Sequence, residues 1–335
     1  MFHKFRFFPI LIFLVVLINS CSDTATRNLD IDVSKIAVPP VEIKRYEKQL
    51  FAIDKNSFKA DLKKIAPEFP VFLKADLDDT LNLIRLHDFI ESPLNIKLYD
   101  SVQILFPNLS GYENQLTDAF KRYKFYFPEI DLPNVFSYVS GLSYEYPVQF
   151  YAGDMIIALD MYLGSGFGEY RRMGLPLYKI ERMNKDFLVR DCINEMYFYT
   201  YLEKPGINVI QKMMNEGKRL YFLDAMLPGT PDNIKIGYPE QKLIWCQENE
   251  SKIWAFMIEN EILFSSDMLV IRKFFTDGPY SHSFSSESPA RMGEWVGWQI
   301  VRAYMNRNPE ITLKQLLMEE DAQKILSDSR YKPKR

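Results

Sequence analysis

The sequence predicts an α+β fold, predominantly helical, in a single domain with a small antiparallel sheet. Three observations predict it. Apolar residues recur at helical spacing through most of 45–127 and again from 186 to 326. Between Pro133 and Asp160 the period changes to short β-branched and aromatic runs broken by Gly141, Pro147 and Gly153, a strand–turn–strand pattern. No internal repeat of roughly 20 to 50 residues interrupts this order. The composition supports one packed body: 335 residues, 47 % hydrophobic and 15 % aromatic, with 25 Phe and 20 Tyr against only 14 Gly. Disorder and collagen-like structure are excluded. Three Cys and three His leave too few soft ligands for a multi-Cys zinc framework, a disulfide scaffold or most His-based metal chemistry.

Residues 1–20 read as a lipoprotein signal peptide. His3, Lys4 and Arg6 give a charged start, and Phe7–Ile18 is an unbroken apolar run of twelve residues. That run is too short to cross roughly 30 Å of hydrocarbon comfortably as a permanent helix. Ile18-Asn19-Ser20-Cys21 resembles a bacterial lipobox, in which small residues precede a Cys that is acylated on sulfur and becomes the new N-terminus. Asn19 departs from that pattern, and the competing reading is an ordinary secretory signal with an incidental Cys. Two or three acyl chains on Cys21 anchor a protein firmly where one chain is marginal. Loss of Lys4 and Arg6 with the signal moves the formal net charge from −3 to −5. So mildly acidic a body has no basic footprint for nucleic acid or anionic lipid, which leaves the N-terminal lipid as its link to the membrane.

Residues 21–41, polar and then punctuated by Pro39-Pro40, read as a flexible tether, and 42–335 as the globular domain. Helices are expected over Arg45–Ala60 and Phe58–Lys64, over Asp78–Glu91 opened by Asp78-Asp79, and from about Leu116 to Phe127. His87, beside Leu86 and Phe89, reads as a histidine at the edge of the core. Ala152-Gly153-Asp154 marks a hairpin turn. Further helices are expected over Asp186–Leu202 and Ile207–Leu227, within 234–254 from Pro239, over Pro289–Asn306, and over Leu313–Ser327. An oxidising envelope compartment would allow Cys192 and Cys246 to pair, but both lie in apolar helical stretches, where a free buried thiol is the commoner state. Gly293 and Gly297, at i and i+4, permit close backbone contact, with Trp295 and Trp298 as packing bulk.

Two adjacent helices carry the candidate site. Leu188, Cys192, Glu195, Tyr199 and Leu202 form one stripe, and Val209, Met213, Glu216, Leu220 and Leu223 the next. Each is apolar except for one glutamate. A carboxylate on a buried face must be paired, hydrogen-bonded or protonated, and Arg190, Lys218 and Arg219 are candidate partners.

This order looks like the core of a zinc metallopeptidase of the gluzincin kind. There, an H-E-x-x-H helix gives two ligands and a general base, and a Glu further on gives the third ligand. Asn194-Glu195-Met196-Tyr197-Phe198 occupies that register, with Asn194 and Phe198 where the histidines would stand, and Asn215-Glu216-Gly217 resembles the second motif. The resemblance implies a zincin-like fold without its metal. The lipobox, IALDMYLG (157–164), NEGKRLYFLDAMLP (215–228), IGYPEQKLIWC (236–246), PARMGEWVGWQIVRAYM (289–305) and the terminal SRYKP (329–333) together resemble the GldB gliding-motility lipoprotein family of the Bacteroidetes. That resemblance implies a lipid-anchored protein of the cell envelope with its body in the periplasm, without cofactor. Its implied partners are other gliding-motility lipoproteins and the type IX secretion and motor components, and its implied role is a non-catalytic scaffold. Under it, Asn194, Glu195, Phe198, Glu216 and His282 form a vestigial cleft or ligand site, with no catalytic or metal-binding residue. Two alternatives stand beside it: a hydrolase using Glu195, Glu216, Asp224 and the loop residue His282, and a ligand-binding lipoprotein with a pocket lined by Trp245, Trp254, Trp295 and Trp298. A serine nucleophile at Ser281 or Ser283 lacks a G-x-S-x-G elbow.

Overall fold

The computed structural model describes residues 29–201 and 205–333; the signal segment, Cys21 and Leu202 lie outside the described residues. The sheet has four strands, β1 (Ile43–Arg45), β2 (Val135–Tyr138), β3 (Val148–Tyr151) and β4 (Asp154–Ala158), in the order β1-β2-β4-β3. It is mixed, not antiparallel as expected. β1 runs parallel to β2 with Ile43 opposite Val135, and β2 runs parallel to β4 with Val135 opposite Met155. Only β3 is antiparallel, paired with β4 through Val148 and Ile157. Hairpin chemistry in the sequence marks that one pair alone. The three residues of β1 are hidden in a segment of helical period, and β4 inserts between β2 and β3.

Parallel pairing requires both faces of the sheet to be covered. Val135 faces the main core, and its neighbour Phe136 faces a second cluster built from Tyr46, Leu50, Leu62 and Phe69. The expected hairpin turn is present. Ala152 (φ 53°) and Gly153 (φ 91°) supply the two left-handed residues that a tight two-residue connection needs.

Ahead of β2 come α1 (Tyr46–Phe51), α2 (Phe58–Ile65), α3 (Thr80–Glu91), α4 (Pro93–Leu105) and α5 (Ser110–Tyr126). The expected helix over Arg45–Ala60 is thus a strand end, one short helix and a turn, because Asp54 caps the next element by accepting from the Asn56 N–H. α4 was not foreseen; it starts with Pro93 in its first turn, where a missing N–H costs nothing. α5 begins six residues earlier than its apolar pattern indicates. His87 on α3 is half-buried, its ring edge-on to Phe58 at 5.5 Å.

After β4 follow α6 (Gly168–Arg172), α7 (Leu177–Ile180), α8 (Leu188–Thr200), α9 (Val209–Met226), α10 (Asp232–Ile236), α11 (Glu240–Glu248), α12 (Glu250–Glu259), α13 (Met268–Phe275), α14 (Met292–Arg307), α15 (Leu313–Met318) and α16 (Ala322–Ser329). The helix expected over Leu313–Ser327 is split at 319–321, where Asp321 turns to cap α16 by accepting from the Gln323 and Lys324 N–H groups. None of the described helices is long and apolar enough to cross a membrane. Cys192 and Cys246 are buried free thiols.

α9 and α14 are the centre of the helical layer, and glycine sets their separation. A Cβ on Gly297 would overlap the Met213 carbonyl, and one on Gly217 would overlap the Gly297 carbonyl. Gly293 lets the Phe275 ring approach to 2.5 Å from where a Cβ would stand. Trp295 and Trp298 are buried on either side.

Residues 29–41, expected within the flexible tether, lie against the body. Val33 is buried, and Arg122 donates to the Leu29 and Ile31 carbonyls, each at 3.3 Å, and to the Asp30 carboxylate at 2.9 Å. Further on, the Val41 N–H donates to Thr117 Oγ1 at 2.8 Å and the Ile43 N–H to Glu113 Oε1 at 3.0 Å, guiding the chain into β1.

Candidate functional site

The two glutamates singled out by the stripes have different fates. Glu216 lies on α9 and accepts from Arg219 Nε at 2.8 Å, one turn along the same helix. The same guanidinium donates through Nη1 to Asn194 Oδ1 on α8 at 2.7 Å and through Nη2 to Glu294 Oε2 on α14 at 3.1 Å. A single buried arginine therefore ties three helices together. Burial works against its charge, but Glu216 and Glu294 outweigh that and raise its pKa above the ordinary arginine value.

The network continues through Arg291, which donates to Glu294 Oε2 at 2.9 Å, to Asp277 Oδ1 at 3.1 Å and to the Ile236 and Gly237 carbonyls at 3.1 and 3.3 Å. Arg182 closes it with a short contact to the other Asp277 oxygen. Arg291 is a non-glycine residue with φ 54°, and this set of acceptors offsets the strain of that backbone at the head of α14.

Glu195, next to Asn194 on α8, takes no part in this network. It lines a cleft of about 600 Å³ together with Tyr146–Val148 at the start of β3, Tyr162, Lys179, Arg182, Arg190, Asp191 and Asn194. Asp191, one turn before it, is held by Arg190 Nη1 at 2.8 Å and by the Tyr162 hydroxyl at 3.0 Å. Glu195 itself has no hydrogen-bond or ion-pair partner among the described residues. Burial first, and then the Asp191 charge, raise its pKa above the usual carboxylate value.

The remaining expected residues lie elsewhere. Phe198 is 40 % exposed and packs edge-on against Tyr197 at 5.6 Å. His282 is exposed in the loop between α13 and α14, against the Tyr280 ring at 4.8 Å. Asp224 belongs to a second ionic cluster, with Lys235 at 2.9 Å, Arg302 at 2.7 Å and Trp298 Nε1 at 2.8 Å. Of the four residues proposed for a hydrolase, only Glu195 lines this cleft. Ser281 is buried, its N–H directed at Ser288 Oγ. Trp245 and Trp254 pack against Phe284 and Tyr331. Of the three cations considered as partners, Arg219 takes Glu216, Arg190 takes Asp191, and Lys218 reaches the Glu319 carbonyl.

Sequence reasoning missed Asp191, Arg291, Glu294 and Asp277. Asp191 was legible as the i−4 neighbour of Glu195 on the same helix. Arg291 and Glu294 sit inside the small-residue motif read only for its packing. Asp277 comes from a distant loop, and no local pattern announces it. Among the described residues, no group of three His, Cys, Asp or Glu side chains converges as a metal-binding set.

No curated protein and no solved structure matches the chain. A family model does, that of gliding motility protein GldB, over residues 26–333. With a match that runs over nearly its whole length and takes in the sheet, the cleft and the arginine network alike, the chain belongs to the gliding motility protein GldB family.

Proposed function

We propose that this protein serves gliding motility as a non-catalytic component of the cell envelope, anchored by an acyl group on Cys21, with a zincin-like body that scaffolds the motor and type IX secretion assembly. Family membership ties the chain to gliding motility. The observation that carries the non-catalytic part is the position of the Arg219 guanidinium. In the zincin register, Asn194 stands at the first imidazole and Glu216 at the third ligand. Both give their oxygens to Arg219, at 2.7 and 2.8 Å. Phe198, at the second imidazole, is turned to the surface and offers no donor. A neutral amide oxygen, a phenyl ring and a carboxylate already bound to a guanidinium do not fit zinc, which prefers imidazole and thiolate donors. A fixed organic cation takes the place of the metal and leaves no open coordination position for water. The mixed sheet, with its antiparallel outer strand beside α8, is in keeping with the zincin-like reading.

The test is a gliding strain carrying Glu216→Gln, which keeps an amide oxygen for Arg219. Gliding is expected to persist, and the purified protein is expected to hold no stoichiometric zinc. Lost gliding with unchanged abundance and folding would overturn the reading. So would one tightly held zinc per chain that disappears in Glu216→Ala.

A further inference from the structure

β3 is the outer strand of the sheet, and its hydrogen-bond phase is fixed. The Ala158 N–H donates to the Pro147 carbonyl at 2.8 Å, and the register places Val148 opposite Ile157 and Tyr151 opposite Asp154. Antiparallel ladders alternate bonded and non-bonded pairs. Residues 147, 149 and 151 therefore face β4, and the N–H and C=O groups of Val148 and Phe150 point away from it. No strand of the described residues lies beyond β3, and no hydrogen bond of the described residues takes those groups. An open edge of this kind is a template for another strand.

The start of this edge, Pro147 and Val148, lines the cleft that holds Glu195, and Phe150 further along it stacks on Tyr199 of α8 at 4.3 Å. Of the six charged side chains that line it, Arg190 is matched with Asp191 and Arg182 with Asp277, and Glu145 is exposed. Lys179 lies at the rim over the Tyr144 ring, 5.5 Å from its centre. Glu195 is the half-buried charge without a counter-ion, so the complementary occupant is cationic at that point.

From this we infer that the cleft binds an extended polypeptide segment, which adds to β3 through the peptide groups of Val148 and Phe150 and sets a Lys or Arg side chain against Glu195. The inference deepens the proposed function and rests on it for the cleft being one that binds without cutting. Backbone pairing supplies affinity without sequence preference, and Glu195 supplies the preference for a basic residue.

The test uses the full chain and four synthetic alternating Thr/Val strand peptides: one with a single central lysine, one with norleucine in its place, and two lysine peptides N-methylated at alternate residues, one in each phase. The lysine peptide should bind about tenfold tighter than the norleucine peptide, as expected for a charge-assisted contact in a half-buried site. Methylation in one phase should abolish binding and in the other leave it intact, which a non-specific sticky surface would not do. Glu195→Gln, with its thermal transition checked, should bring the lysine and norleucine peptides to equal affinity. Absence of binding at millimolar peptide would overturn the inference, as would indifference to methylation phase or lysine selectivity that survives Glu195→Gln. Mass spectrometry of the recovered peptide separates the two readings: a cut peptide overturns the non-catalytic proposal, whereas an intact, unbound one overturns strand addition alone.

Discussion

Glu195 and Glu216 occupy equivalent places on adjacent apolar stripes, yet only one is compensated. Glu216 faces a guanidinium that is itself shared with Asn194 and Glu294, so removal of Arg219 would strand the Glu216 carboxylate while Glu294 kept Arg291. Glu195 carries its burial alone, and its raised pKa makes it a weak point at neutral pH. The sign is fixed by proton counting. Between the ordinary carboxylate pKa and the raised one, the folded state binds more protons than the unfolded state, so stability falls as pH rises through that window. Glu195→Gln is accordingly expected to raise the thermal midpoint at pH 7, with the gain shrinking to nothing as the pH drops below the ordinary carboxylate range. Melting curves taken across that range check it. The glutamates themselves were legible, because a lone carboxylate on an apolar stripe stands out at helical period. Which cation served which was not legible, since Arg190, Lys218 and Arg219 all lie within reach in sequence, and rotation about each helix decides the pairing.

At the level of elements, the α9–α14 crossing is the tightest joint among the described helices. Gly217 and Gly297 meet backbone to backbone, so a methyl group on either one must push two main chains apart rather than nudge a side chain. Gly297→Ala should destabilise the protein by about 3 kcal/mol or more. Gly111→Ala is the matched control, since nothing lies within 4 Å of the added methyl and α5 gains a better helix former; it should be neutral or stabilising by about 0.5–1 kcal/mol. Denaturant midpoints of the two variants compare them directly. The i, i+4 glycines of α14 signalled this joint in the sequence, and the N-E-G of α9 supplied its other half. By contrast β1 and the parallel pairings were not legible. Strand order is a property of the whole chain, and three residues such as Ile43–Arg45 are too few to show a period against the helix that follows at once.

Across the whole molecule, the sheet divides a large core from a smaller one, and the cleft and the ion network lie on the larger side. The chain enters this body through residues 29–41, pinned by Arg122, and under the proposed acylation of Cys21 that pin limits the protein's range. Were Cys21 acylated as proposed, eight peptide steps would separate the membrane from Leu29, a leash of at most about 29 Å when fully drawn out. Were the docked stretch free as far as Val41, the same leash would reach about 70 Å. Arg122→Ala is expected to speed hydrogen exchange of the amides from Ile31 to Ile36 by about tenfold or more while the sheet amides keep their protection, because the lost charge-assisted bonds are local. A short leash confines the body's encounters to a thin layer beside the bilayer and raises the local concentration of anything else fixed to that surface. Under that proposal, one arginine sets how far from the membrane a partner can stand and still be caught.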